Sequence, residues 1–247
     1  MSIIATIKKS KRGCDITEKL TQALMEELNC ETAFTIPIFG GIGIGESVAV
    51  TWIIMAVLVL VSILVTRNLK VENPGKGQLL LETAVTGLQN MVSGMTGEEG
   101  KRYVPYLMTV LLYIGMANIF GLFGFKPPTK DLTVTVALAV MSIILIEYAG
   151  IHAKGTKGWV KSFAQPVAIM TPFNILELVI RPLSLCMRLF GNVLGAFVIM
   201  ELIKQVVPAV VPVVFSLYFD IFDGLIQAYV FVFLTSLFIK EAVEVND

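Results

Sequence analysis

Charge is scarce in this chain. Its 19 Lys and Arg and 19 Asp and Glu make up 15% of 247 residues, against about 25% in soluble domains. That shortage excludes an ordinary soluble enzyme, and the even balance of the two signs leaves no basic surface for nucleic acid. There is one histidine, His152, so a His/Cys metal cluster is ruled out. The three cysteines, Cys14, Cys30 and Cys186, are too few and too scattered for a disulfide framework. Neither GxSxG nor HExxH occurs. What fills the chain instead is apolar: 55% of residues, with a mean hydropathy of +0.79. These proportions describe a polytopic membrane protein.

A helix needs about 20 mostly apolar residues to cross a hydrocarbon core of about 30 Å. Residues 1–46 read as an external tail, with an amphipathic surface helix over 16–30 rather than the apolar core of a signal peptide. The glycines at 40, 41, 43 and 45 lack a βαβ context and serve as a flexible entry to the first span. Residues 47–247 read as one membrane domain. Spans are expected at about 47–68, 103–125 and 132–152. Between the first two, Leu81, Val85, Leu88, Val92 and Met95 recur at helical spacing, and residues 75–96 read as an amphipathic helix lying in the interface. The last two apolar runs, about 165–204 and 206–241, would be roughly 60 Å and 50 Å long as helices. Both exceed the bilayer core, so a strongly tilted hairpin is expected, turning at Pro208 and Pro212. The fold class is therefore an all-α membrane protein of about five transmembrane helices plus one interfacial helix. Arg67, Lys70 and Lys76, with Lys154, Lys157 and Lys161, place those two loops in the cytoplasm, the N-terminus outside and the C-terminus inside.

Seven charged residues interrupt the apolar segments: Glu147, Glu177, Arg181, Arg188, Glu201, Asp220 and Asp223. Charges at membrane depth are costly and usually mark an ion or substrate path. Glu177, Arg181, Ser184, Arg188, Asn192 and Gly195 follow steps of 4, 3, 4, 4 and 3 and share one helix face. Ser216, Asp220, Asp223 and Gln227 form a second stripe. Glu177 and Arg181 are spaced to form an i, i+4 ion pair, and Glu147 sits near the end of its span. Arg188 has no acid three or four positions away; its counter-charge has to come from another helix or another subunit.

The segment Pro182-Leu183-Ser184-Leu185-Cys186-Met187-Arg188-Leu189-Phe190-Gly191-Asn192 closely resembles the signature of subunit a of F-type rotary ATP synthases. Pro172 to Glu177 and Gly224 to Tyr229 are similar to that family too, and the likeness runs over roughly residues 33–244. The resemblance implies a non-catalytic stator subunit in a bacterial plasma membrane. It would need no cofactor, face a ring of c subunits through Arg188, and contact a b-subunit peripheral stalk. It implies that Arg188 is the essential arginine, with Asn192 and Gln227 beside it and Asp220 at a variable polar position. One position departs from the pattern: many bacterial members carry an acid where this chain has Phe197, and Glu201 lies one turn further.

On this reading Asp220, Asp223, Glu201 and Asn192 line an external half-channel for H+ or Na+. Glu177, Arg181 and Glu147 line a cytoplasmic one. Two other readings compete. A transporter acting alone would also use intramembrane charges and Pro-broken helices, although no inverted repeat is visible. An intramembrane enzyme could use the Asp220–Asp223 pair for a metal, although no further acidic cluster follows at suitable spacing.

Overall fold

The computed structural model describes residues 21, 32–36, 42–67, 69–70, 75–98, 100–123, 127–162, 169, 171–206 and 215–244. The surface helix expected over 16–30 lies outside these, apart from the helical position Thr21. The proline turn expected at Pro208 and Pro212 lies outside them as well.

A two-stranded ribbon opens the described chain, β1 (Thr32–Ile36) pairing antiparallel with β2 (Ile42–Gly45). Every other element is helical: α1 (Glu46–Thr66), α2 (Lys76–Thr96), α3 (Val104–Ile119), α4 (Leu132–Ser162), α5 (Thr171–Val206) and α6 (Phe215–Val243). Four of these are long and apolar enough to cross a membrane: α1, α4, the stretch Thr171–Met200 of α5, and α6. The protein is a multi-pass, all-α membrane protein.

The run expected at 103–125 is shorter as regular helix. The 16 residues of α3 are flanked by 3-10 turns at Lys101–Tyr103 and Phe120–Phe123. In α2 most of the stripe read from the sequence faces inward: Leu81, Leu88 and Met95 are partly buried and Val92 fully so, but Val85 is exposed, as are Leu79 and Leu80. Gln78 ties the start of α2 back to the end of α1, its Nε2 donating to the Lys70 carbonyl and its Oε1 accepting from the Lys70 amide, both at 2.9 Å.

The boundary expected at 152 shifts. Helix α4 continues to Ser162 through a break at Gly155, where φ is +70°. That backbone angle suits glycine, which has no Cβ to clash. Beyond the break the chain folds back, so that Trp159 Nε1 donates to Glu147 Oε2 at 2.8 Å. Lys154, Lys157 and Lys161 therefore sit on helical backbone rather than in a loop.

The core forms where α3, α4 and α6 meet, around Leu107, Ile114, Ile146, Phe231 and Ile239. Helix α5 rests on α4 through Leu185 and Leu189, while its backbone approaches α6 closely at few positions and long side chains bridge the two. The final two helices are thus separate supports of one bundle rather than a tightly packed pair. Outside the core, α1 exposes Ile53, Leu60, Ile63 and Leu64, and α5 exposes Phe173, Val179, Leu183 and Met187. Apolar surface on this scale calls for lipid or another protein.

Helix α6 contains a π segment, Tyr218–Asp223, closed by the Gly224 amide reaching back five residues to the Phe219 carbonyl. Its carbonyl partner comes from α3: Asn118 Nδ2 donates to Gly224 O at 3.0 Å, and Asn118 Oδ1 accepts from Thr129 Oγ1 at 3.0 Å. The approach leaves no room for a side chain, since a Cβ on Gly224 would lie 2.6 Å from Asn118 Cβ. Gly224→Ala is expected to destabilise the protein by about 1–3 kcal/mol through overpacking, read as a lower unfolding midpoint in detergent. An unchanged midpoint would refute the close approach.

Candidate functional site

The π segment decides what α6 presents. Its wider turn breaks the 3.6-residue period, so the spacing that grouped Ser216 and Asp220 with Asp223 and Gln227 does not hold across it. Asp223 and Gln227, at its end and just beyond, are brought to α5. There Asn192 Nδ2 donates to Asp223 Oδ2 at 2.7 Å and to Gln227 Oε1 at 3.3 Å. The first bond is short because its acceptor is a carboxylate. Gln227 is buried, and its own Nε2 has no hydrogen-bond partner among the described residues. An open donor at that depth is costly, of order 1–3 kcal/mol, and marks a place where a water or an outside group would be received.

Arg188 lies one turn of α5 before Asn192 and is exposed. Among the described residues it makes no hydrogen bond and no ion pair. Its neighbours on the outer surface of α5, Leu183 and Met187, are also exposed. A guanidinium stands there on an apolar face, with no counter-charge paired to it among the described residues.

A second cluster lies toward the other end of the same helix. Arg181 donates to Glu177 Oε1 at 3.0 Å and to Glu241 Oε1 at 2.8 Å, and its guanidinium stacks 4.8 Å from the Phe238 ring centre. The expected i, i+4 pair is thus present, joined by an acid from α6. Arg181 has a side-chain exposure of 14%, while the two glutamates are half exposed. Solvent therefore screens the pairing, and its worth falls toward the range of about 0–1 kcal/mol found for surface pairs.

The remaining expected residues fall elsewhere. Glu147 is engaged by Trp159, linking the two halves of α4 across Gly155. Glu201 and Asp220 lie on α5 and α6, but their side chains are outside the described residues. Phe197 carries Lys130 over its ring at 4.8 Å, so a cation approaches the position where the family resemblance leads one to expect an acid. Among the described residues, no three His, Cys, Asp or Glu side chains are grouped to hold a metal ion.

Several participants are invisible to sequence spacing. Glu241 is 60 residues from Arg181 and reads as an ordinary charge flanking the last apolar run. Asn118 offered a signal, being an amide inside an uncharged run, but its partner lies 106 residues away. Thr129 and Lys130 read as part of a polar connection.

The family model described as ATP synthase A chain matches residues 48–240. "ATP synthase subunit a 2" of Bradyrhizobium sp. is 35% identical over 205 residues, covering 83% of this chain and 91% of the relative. "ATP synthase subunit a" of Moorella thermoacetica is 36% identical over 205 residues, covering 83% and 93%. "ATP synthase subunit a 2" of Acaryochloris marina is 33% identical over 211 residues, covering 85% and 90%.

The Arg181 cluster makes a measurable claim about coupling between α5 and α6. In a double-mutant cycle of Arg181→Met and Glu241→Gln, thermal unfolding in detergent is expected to give a coupling of about 0.5–1 kcal/mol. Strict additivity would show that the contact contributes nothing.

Proposed function

The chain belongs to the ATP synthase A chain family, and from that premise we propose that it is the stator ion-channel subunit of a rotary F-type ATP synthase. It provides two offset half-channels and one essential arginine that couple H+ or Na+ flow to rotation of a c-subunit ring. The observation that carries this reading is Arg188: a fixed cation on an exposed apolar face of α5, one turn from the Asn192–Asp223–Gln227 cluster, without a partner among the described residues.

A guanidinium does not release its proton in a protein, so Arg188 is a standing charge rather than a relay. A carboxylate on the ring that faces lipid has to be neutral, because a bare charge there is too costly. Opposite Arg188 the ionised form is favoured, and the ion departs into one half-channel. The ring carboxylate re-enters lipid only after reloading from the other. Each elementary charge crossing the membrane releases about 2.3 kcal/mol per 100 mV. Offset access turns that release into rotation in one sense, and the arginine blocks direct leakage between the two paths.

Asp223, Asn192 and Gln227, with Asp220 and Glu201, belong to the external path. Glu177 and Arg181, with Glu147, belong to the cytoplasmic one. The b-subunit stalk holds this chain still while the ring turns. ATP chemistry takes place on other subunits, so this chain is not itself an enzyme and carries no cofactor. The N-terminus lies outside a bacterial plasma membrane and the C-terminus in the cytoplasm, with five spans and α2 in the interface.

Arg188→Ala in the assembled complex is expected to reduce ATP-driven ion pumping and ion-driven synthesis to the uncoupled background, measured in vesicles. Normal coupled pumping would sink the assignment. Asp220→Asn is expected to slow ion flow while leaving assembly intact, and unchanged flux would remove Asp220 from the path.

A further inference from the structure

Two polar ties join α5 to α6, and they bracket Arg188. Arg181 bonds Glu241 and stacks on Phe238, and Asn192 bonds Asp223 and Gln227. On α5, Arg181, Arg188 and Asn192 fall within about 40° of one another at 100° per residue, so Arg188 lies on the face that the ties turn toward α6. On α6, which is regular from Gly224 to Val243, the tied residues Gln227, Phe238 and Glu241 fall within about 60°. Leu234 lies inside that same sector, midway between the ties, about 10.5 Å along the axis from Gln227 and from Glu241 at 1.5 Å per residue. It is partly buried and packs against the core, whereas Tyr229, Phe233 and Leu237 are exposed on the outward face of the helix.

Between the ties the α6 wall is apolar. The hydroxyl-bearing residues of that interval turn elsewhere: Thr235 and Ser236 are buried and donate to the Phe231 and Phe233 carbonyls of their own helix, and Tyr229 is exposed and stacked on Phe233. Leu234, with the partly buried Val230 beside its sector, is what α6 presents there. The α5 wall is different, since Ser184 and Arg188 are both polar and both exposed. A guanidinium repels cations, yet its five donors also hold water. Charge on one wall therefore does not by itself stop a chain of waters from passing protons alongside it. An apolar wall does, because an ordered water needs two to four polar partners and an apolar constriction empties by dewetting.

We propose that Leu234 is a further residue of the coupling machinery, an apolar bolt that separates the two polar clusters along the line where α5 faces α6, so that an ion crosses only by way of the ring. The inference deepens the half-channel reading and rests on it. Leu234 carries no ion. It denies water a hydrogen-bonded route from the Asn192–Asp223–Gln227 cluster to the Arg181–Glu241 cluster, which lie about 21 Å apart along α6 from Gln227 to Glu241. Arg188 and Leu234 thus divide one task, the first excluding cations by charge and the second excluding water by offering it no partner. A polar side chain at position 234 would place a hydrogen-bonding group halfway along that route.

The test uses the assembled complex in liposomes that hold a pH dye, with the membrane potential clamped. Passive H+ flux is followed with nucleotide withheld, so that the attached catalytic head keeps the ring from turning. Leu234→Asn, close to leucine in volume, is expected to raise this ring-independent flux at least about fivefold, the lower end of the effect of supplying one hydrogen-bonding group in an apolar stretch. With ATP present, the same variant is expected to hydrolyse ATP while building a smaller gradient. Leu234→Met, apolar and of similar volume, is expected to stay sealed. A packing role alone would lower assembly or turnover and leave the stalled-ring flux unmoved. An unchanged flux in Leu234→Asn overturns the proposal, and so does an equal leak in Leu237→Asn, on the outward face, which would reflect general loosening. Should Leu234→Asn not assemble, an unchanged flux in Leu234→Thr overturns it, and failure of both to assemble shows the residue to be core packing and overturns it too. Arg188→Ala, run alongside, separates the two assignments. Loss of coupling there with no leak at position 234 defeats only this inference, whereas normal coupling there defeats the half-channel reading itself.

Discussion

Hydrocarbon offers no hydrogen bonds, so each polar group on the long apolar helices has to be met by another group of the protein or remain as a cost. That constraint organises the bundle. Asn192 meets Asp223 and Gln227 across the gap between α5 and α6. Asn118 meets both the carbonyl of Gly224 and the hydroxyl of Thr129, so that α3, α6 and the turn before α4 are tied at one point. Arg181 is met by two acids and an aromatic ring, and Glu147 by an indole. Arg188 stands outside this scheme, exposed on an apolar helix face. A guanidinium so placed is tolerable only where another chain or water reaches it, which is why the proposed function turns on that one residue.

Close approach and local irregularity serve the same end. Gly224 lets α3 and α6 come near enough for an amide to reach a backbone carbonyl, and the π segment just before it re-aims the residues that follow. An unbroken α-helix would keep its carbonyls to itself and present a different face to α5. The break at Gly155 acts similarly at the opposite end, returning Trp159 to Glu147. Two departures from regular helix thus position two polar contacts. Meanwhile α5 is buttressed mainly by α4, which leaves its outer face, with Leu183, Met187 and Arg188, uncovered by the rest of the chain.

The paired clusters also divide α5 lengthwise. One end is tied to α6 by Arg181 and Glu241, and the middle by Asn192 and Asp223, with Lys130 and Phe197 beyond. Salt and solvent weaken the first tie, since both glutamates are half exposed. The second is less exposed and includes a buried amide donor without a partner among the described residues. A helix held by contacts of unequal strength and hydration can present water-accessible polar groups at either end while its centre stays closely packed, the arrangement that the proposed half-channels require.

Local patterning was enough for much of this. Scarce charge and long apolar runs determined the membrane class, because hydropathy and length are properties of consecutive residues. The inward stripe of α2 and the Glu177–Arg181 pair were legible for the same reason, both depending on neighbours three or four positions apart. The isolation of Arg188 was legible too, as the lack of any acid at those spacings. What depended on distant segments was not. The partnership of Arg181 with Glu241, the seat of Lys130 on Phe197 and the tie from Asn118 to Gly224 join residues 60, 67 and 106 positions apart. The shared face of Ser216, Asp220, Asp223 and Gln227 assumed a constant helical period, and the π segment removed that assumption. Sequence alone determined which groups could not remain unpaired in an apolar setting, since that follows from the chemistry of each side chain. Tertiary structure decided which groups answer them, since pairing across a bundle depends on how closely helices approach and where their period slips.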